Sequence, residues 1–200
     1  MQVQLNKFIE NHLPSQNLEK ASKSILEKYK NLVPESLLEL WREYGFGFYG
    51  NGFLNLINPD DYHETLCNWL MRDLDNERIP IMITAFGTII YYRMLGADDD
   101  GTIIAEDVAF IEPNYSDTGV LSWTLDSFFN EYLIDLENSK SFYFQENFER
   151  AKKLYGNCKT NEMYFFVPAL RLGGNEKVEN IDKGNALVHL EILLQLALDN

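Results

Sequence analysis

Cysteine is scarce, with only Cys67 and Cys158 in 200 residues. At most one disulfide can form, so the fold must hold without a disulfide framework, and a reducing, cytoplasmic setting is the expectation. Long apolar runs are missing too. The most apolar window, Ile79 to Tyr92, is interrupted by Pro80, Thr84 and Gly87, and it falls short of the roughly 18 apolar residues of a membrane helix. Met1 to Glu10 lacks the basic start and apolar run of a secretory leader, so no signal peptide is expected. Basic residues are outnumbered, 17 against 31 acids, for a formal charge of −14. Such a net field repels DNA, RNA and anionic lipid, so neither nucleic acid nor membrane is an expected partner. His12, His63 and His189 form no H-x-x-x-H or H-E-x-x-H pair, and no G-x-S-x-G or P-loop occurs. No metal, cofactor or catalytic set is expected, and the chain reads as a non-enzyme.

What is present suffices for a core, since 46% of residues are hydrophobic and 14% aromatic. Leu18, Ala21, Ile25 and Tyr29 step at helical spacing and predict an opening surface helix. From Pro34, a stronger helix gathers Leu37, Leu38, Leu40, Trp41 and Tyr44 on one face and stops at Gly45. Gly47 to Ile57 reads as a short hairpin about Gly50-Asn51-Gly52, and Asn58-Pro59-Asp60-Asp61 opens a helix to about Met71. Ile81 to Ala85, Ile89 to Leu95, Thr102 to Ala105 and Ala109 to Ile111 predict antiparallel strands, with Glu106-Asp107 as a break between the last two. Helices are expected from Thr124 through Leu136 and from Phe148 to Gly156, then a strand at Met163 to Val167. The apolar helix Ala186 to Leu198 is expected to be packed on most sides. This order predicts an α+β fold with helices packed against an antiparallel sheet, as two lobes, 1–112 and 113–200, sharing one body. The division is placed where Pro113, Asn114, Ser116, Asp117 and Gly119 crowd together.

Two motifs invite chemistry and fail on their context. Gly45-Phe46-Gly47-Phe48-Tyr49-Gly50 matches G-x-G-x-x-G, but it leaves a helix and enters a strand, so no helix N-terminus would face a pyrophosphate. Asp98-Asp99-Asp100-Gly101 suggests a calcium loop. With Gly101 in sixth place, however, the first ligand falls on Gly96 and the twelfth on Asp107, so a hairpin tip is the better reading. His189 reads as a core histidine, and Cys67 and Cys158 as small buried residues.

Charge is the distinctive feature. Between Met94 and Ser139 there are eleven acids and no lysine or arginine, which places −11 of the formal −14 in one segment. Uncompensated acid of this kind attracts a basic protein partner or serves as a solvated face. The candidate partner-binding residues are Asp98, Asp99, Asp100, Glu106, Asp107, Glu112 and Asp117.

The segment Asn31 to Gly47, then Gly52-Phe53-Leu54, Asn58 to Tyr62 and Pro80 to Tyr91, resembles the GAD-like domain family of bacterial proteins. Asn161 to Gly174 and His189 to Leu196 resemble the companion C-terminal domain found in type VI secretion immunity proteins. The helix-glycine-turn start is also similar to the SMI1/KNR4 superfamily. The resemblance implies a protein that binds and neutralises a cognate toxin, expected to be a basic nuclease, by steric and electrostatic blockade. The alternative is a small-ligand or regulatory domain with its pocket beneath Trp41, Tyr44 and Phe46.

Overall fold

Local signals set most element starts. The computed structural model describes residues 5–134 and 142–199. The N-terminal helices are α1 (Asn6–Asn11), α2 (Lys23–Tyr29) and α3 (Glu35–Glu43). Ser22 caps α2 by accepting the Ile25 N–H, and Pro34 precedes α3. Strands β1 (Gly47–Tyr49) and β2 (Leu54–Leu56) lead to α4 (Pro59–Trp69), where Asn58 accepts the Asp60 N–H and two acids face the positive helix end. Then come β3 (Arg78–Thr84), β4 (Ile89–Ala97), β5 (Ile103–Glu112) and β6 (Asp117–Ser122). Next, α5 (Leu125–Ser127) continues as a π-helical turn over Phe128–Tyr132, followed by α6 (Gln145–Tyr155), β7 (Glu162–Phe166), β8 (Ile181–Asn185) and α7 (Ala186–Leu198).

The six strands β1 to β6 form one antiparallel meander in chain order, and β7 pairs with β8 in a second small sheet. Alternation divides the large sheet into two faces. Ile90, Tyr92 and Val108 join the larger core with Trp41, Phe128, Phe148 and Tyr164. Ile89, Tyr91, Ala109 and Ile111 join a second core with Tyr62 and Leu66 of α4 and Leu190 of α7. The fold is therefore α+β, with helices against both faces of the sheet. Trp41 and Leu190 are fully buried, and Trp69 is half-buried.

Several elements differ from the sequence reading. The opening helix begins at Lys23, because Glu19 is extended and exchanges both backbone hydrogen bonds with Phe46, at 2.8 and 3.0 Å. Gly45 makes this approach workable: at φ +104° it stops α3, and a Cβ there would lie 2.5 Å from the Glu19 carbonyl oxygen. Glu106 and Asp107 do not break β5, since Asp107 sits opposite Arg93 and Glu106 opposite Met94 in the ladder. Strand β8 has no counterpart in the sequence reading. The turn at 113–116, where two lobes were divided, joins β5 to β6 within the large sheet. Helix α7 buries one side only, leaving Val188, Ile192 and Leu198 about half exposed. The helix expected to reach Leu136 is followed to Tyr132, while Leu136, Asp135 and Glu137 lie outside the described residues.

Candidate functional site

The β4–β5 hairpin carries the acidic segment outward. At its tip, Asp98 Oδ1 accepts the backbone N–H groups of Asp100 (3.1 Å) and Thr102 (2.8 Å), and Gly101 turns the chain at φ +80°. The Asp98 side chain thus builds the turn, while Asp98, Asp99 and Asp100 all stand exposed. Asp126 of α5 and Glu106 line a 390 Å³ groove beside Gly101, which Lys30 also borders.

The other candidate acids are placed differently. Glu106 accepts the Tyr92 hydroxyl and the Leu125 N–H, each at 2.8 Å, which ties α5 to the sheet. Asp107 is 1% exposed and takes a two-pronged contact from Arg93, Nε to Oδ1 at 2.6 Å and Nη2 to Oδ2 at 2.5 Å. The same pairing pushes the Arg93 guanidinium further up. Glu112 is fully buried. Its Oε2 accepts the Thr88 hydroxyl at 2.7 Å, and its Oε1 accepts the Asn114 backbone N–H (3.1 Å) and Nδ2 (2.9 Å). Burial raises the Glu112 carboxyl above its ordinary range, against those hydrogen bonds, and Asp117 adds to the rise. Asp117 is exposed and accepts the Tyr143 hydroxyl at 2.6 Å.

The structure therefore does not gather the seven acids into one cluster. Asp98–Asp100 and the Glu112–Asp117 pair lie at opposite ends of β5, roughly 30 Å apart at the rise of a strand. Asp107 and Glu112 are structural, because their carboxylates are bound inside the protein and cannot meet a partner directly.

What the sequence reading missed is apolar. Trp123 is 74% exposed, Ile104 68% and Leu95 53%, all at this end of the sheet. Leu95 and Ile104 are the unpaired residues at two successive register shifts between β4 and β5. Only the Gly96 interruption of the β4 run hinted at a bulge, and nothing marked Trp123 as exposed.

The remaining reactive side chains have structural settings. His189 stacks on Phe165 with ring centroids 3.4 Å apart, and burial lowers its pKa. Cys67 and Cys158 are free thiols; burial pushes Cys158 up to about 11 and raises Cys67 as well. Among the described residues no His, Cys, Asp and Glu cluster could hold a metal ion, and no helix is long and apolar enough to cross a membrane. At the aromatic cluster proposed to roof a pocket, Trp41 is fully buried against Tyr29 and Phe46 at ring-centroid distances of 5.8 and 5.6 Å, and Phe46 also lines a 230 Å³ cleft with Leu56, Ile57 and Tyr62. A larger cleft of 570 Å³ lies elsewhere, between the Phe48–Gly52 turn and Phe148, Lys152, Cys158 and Tyr164.

Comparison with known families supplies the context. Residues 3–99 match the family described as GAD-like domain, and residues 124–197 match the family described as T6SS immunity protein Tdi1, C-terminal. The chain joins a GAD-like domain to a Tdi1-type C-terminal domain. The crystal structure of Atu4351 from Agrobacterium tumefaciens has the same fold, with a TM-score of 0.69 and 21% identity over 94% of this chain and 87% of that one. No curated protein matches the chain significantly. The GAD-like match ends within the hairpin tip and the Tdi1-type match begins at Thr124, so β5, β6, Ile104 and Trp123 lie between the two matched regions. The two domains share their cores: Tyr164 of the Tdi1-type domain donates its N–H to the Ala85 carbonyl of the GAD-like domain at 2.8 Å.

Proposed function

We propose that the protein is a non-enzymatic immunity protein that binds a cognate type VI secretion toxin, a nuclease, and covers its nucleic-acid groove. The observation that carries this reading is the match of residues 124–197 to the T6SS immunity protein Tdi1, C-terminal family. Charge favours a nuclease as the target. A nuclease must hold phosphates in a basic groove, and this chain concentrates −11 of its −14 in residues 94–139. Of those acids, Asp98, Asp99 and Asp100 project at a hairpin tip and are free of basic partners among the described residues, so they are the ones positioned to lead the encounter. The partner is met inside the cell that makes the protein, in the cytoplasm. The ligand-binding alternative is the less favoured reading, because Trp41 at the centre of its aromatic cluster is fully buried against Tyr29 and Phe46.

The test is a cleavage assay with the purified toxin-sized product of the adjacent gene. One equivalent of this chain is expected to stop plasmid degradation. Replacing Asp98, Asp99 and Asp100 together by Asn is expected to slow association about tenfold at low salt, with the difference shrinking near 0.15 M, where the Debye length is about 8 Å. Undiminished cleavage at excess chain would refute the function. An unchanged association rate at low salt would move the encounter away from the tip.

A further inference from the structure

Three large apolar side chains stand in water where the chain is most acidic. Trp123, Ile104 and Leu95 are 74%, 68% and 53% exposed. Single exposed apolar residues are ordinary, but these three are held at one end of one sheet. Leu95 has no partner between the pairs Met94–Glu106 and Gly96–Ala105, and Ile104 none between Gly96–Ala105 and Ala97–Ile103. Such bulges re-aim side chains out of the pleat. Ile104 lies over Gly96, where a Cβ would meet Ile104 Cγ1 at an ordinary contact distance of 3.5 Å. The Trp123 backbone is fixed on both sides: Ser122 pairs with Val108, and the Leu125 N–H is held by Glu106. The Trp123 backbone is therefore held beside the Glu106–Asp107 stretch of β5.

We propose that this outer end of β4, β5 and β6 is the surface that seats the toxin, with Trp123, Ile104 and Leu95 as anchors entering apolar pockets within a basic face. The proposal rests on the toxin-binding reading above. Exposed apolar side chains on a backbone held in a sheet lose little backbone freedom on binding, and Trp is among the residues enriched at the hot spots of interfaces. The surroundings select the partner's charge. Asp98, Asp99 and Asp100 form the rim, and Arg93, the one basic residue of β4, is bound to buried Asp107 through two nitrogens. A second copy of this chain is disfavoured as the occupant, because two such acidic faces repel. The anchors supply the stability of the complex and the acids its rate, so the two can be separated by experiment.

The test titrates the purified toxin-sized product of the adjacent gene with wild type, Trp123→Ala, Ile104→Asp and, on helix α7, Val188→Asp, at 0.15 M salt. All three substituted residues are exposed, so thermal midpoints are expected to coincide and report intact folding. Trp123→Ala is expected to weaken binding about 30-fold, mainly through faster dissociation. Ile104→Asp weakens it further, and Val188→Asp leaves it unchanged. Tight binding by wild type with equal affinity for Trp123→Ala and Ile104→Asp would overturn the docking surface and leave the immunity reading standing. No binding by wild type would remove the immunity reading, and the docking surface with it. Wild-type self-association abolished by Ile104→Asp would assign the surface to a second copy and overturn the proposal.

Discussion

Glu112 is a carboxyl with three donors and, among the described residues, no paired cation, held at the turn between β5 and β6. Its folded pKa is raised above the ordinary 4.5 by burial. The folded state therefore retains the proton longer than the unfolded chain, and the resulting stability is fully present below the ordinary value and lost as pH rises through the folded one. Glu112→Gln keeps an acceptor for Asn114 and removes the titration. Urea midpoints measured from pH 4.5 to neutrality are expected to show wild type losing stability relative to the variant as pH rises; parallel curves would contradict the assignment. Arg93 and Asp107 make the complementary case. Arg93→Ala leaves a carboxylate that is 1% exposed without its cation, and the expected loss is about 3 kcal/mol in chemical denaturation. The double change Arg93→Met with Asp107→Leu is expected to recover most of it, because two apolar residues need no compensation.

At the scale of elements, the turn after α3 shows how a local signal becomes tertiary. Gly45 was legible as a helix stop. That it also admits the extended Leu18–Ala21 segment was not, since the contact with Glu19 depends on residues 26 positions away in sequence. Gly45→Ala is expected to cost about 1–3 kcal/mol, through both the left-handed backbone and the clash with the Glu19 carbonyl; an unchanged urea midpoint would contradict this account. The same competition explains the other differences. Leu18 and Ala21 fit a helical face, yet backbone pairing with Phe46 takes precedence and Ser22 restarts the helix. Glu106 and Asp107 look like a break because a charged pair is unusual in a strand, and their partners Tyr92, Leu125 and Arg93 come from other elements. In β8, Asp182-Lys183-Gly184 carries no strand signature, and only the ladder with β7 makes it one. Helix α7 is apolar on more sides than it buries, so composition alone overstated its packing. For the candidate site, the acids were legible as charge but not as positions. Burial separates Asp107 and Glu112 from Asp98–Asp100, and the bulges that expose Leu95 and Ile104 arise from strand register rather than from any local motif.

The whole molecule is one body with an uneven charge. Its cores draw on both matched domains, with Gly87 packed close to Met163 and Leu190, and Phe86 among Phe144, Tyr164 and Phe166. Residues 1–112 and 113–200 expressed separately are expected to lack cooperative unfolding and to be cut rapidly by protease, because each would expose half of a shared core. Two separately folded, protease-resistant fragments would contradict that. The exposed Asp98–Asp100 tip projects from the β4–β5 hairpin and is free to approach a basic surface. The central claim is neutralisation of a toxin, and cell survival measures it directly. Cells induced to make the toxin-sized product of the adjacent gene should die with an empty vector and grow, with intact chromosomal DNA, when this chain is co-expressed. Equal killing in the presence of soluble, folded chain would contradict the account.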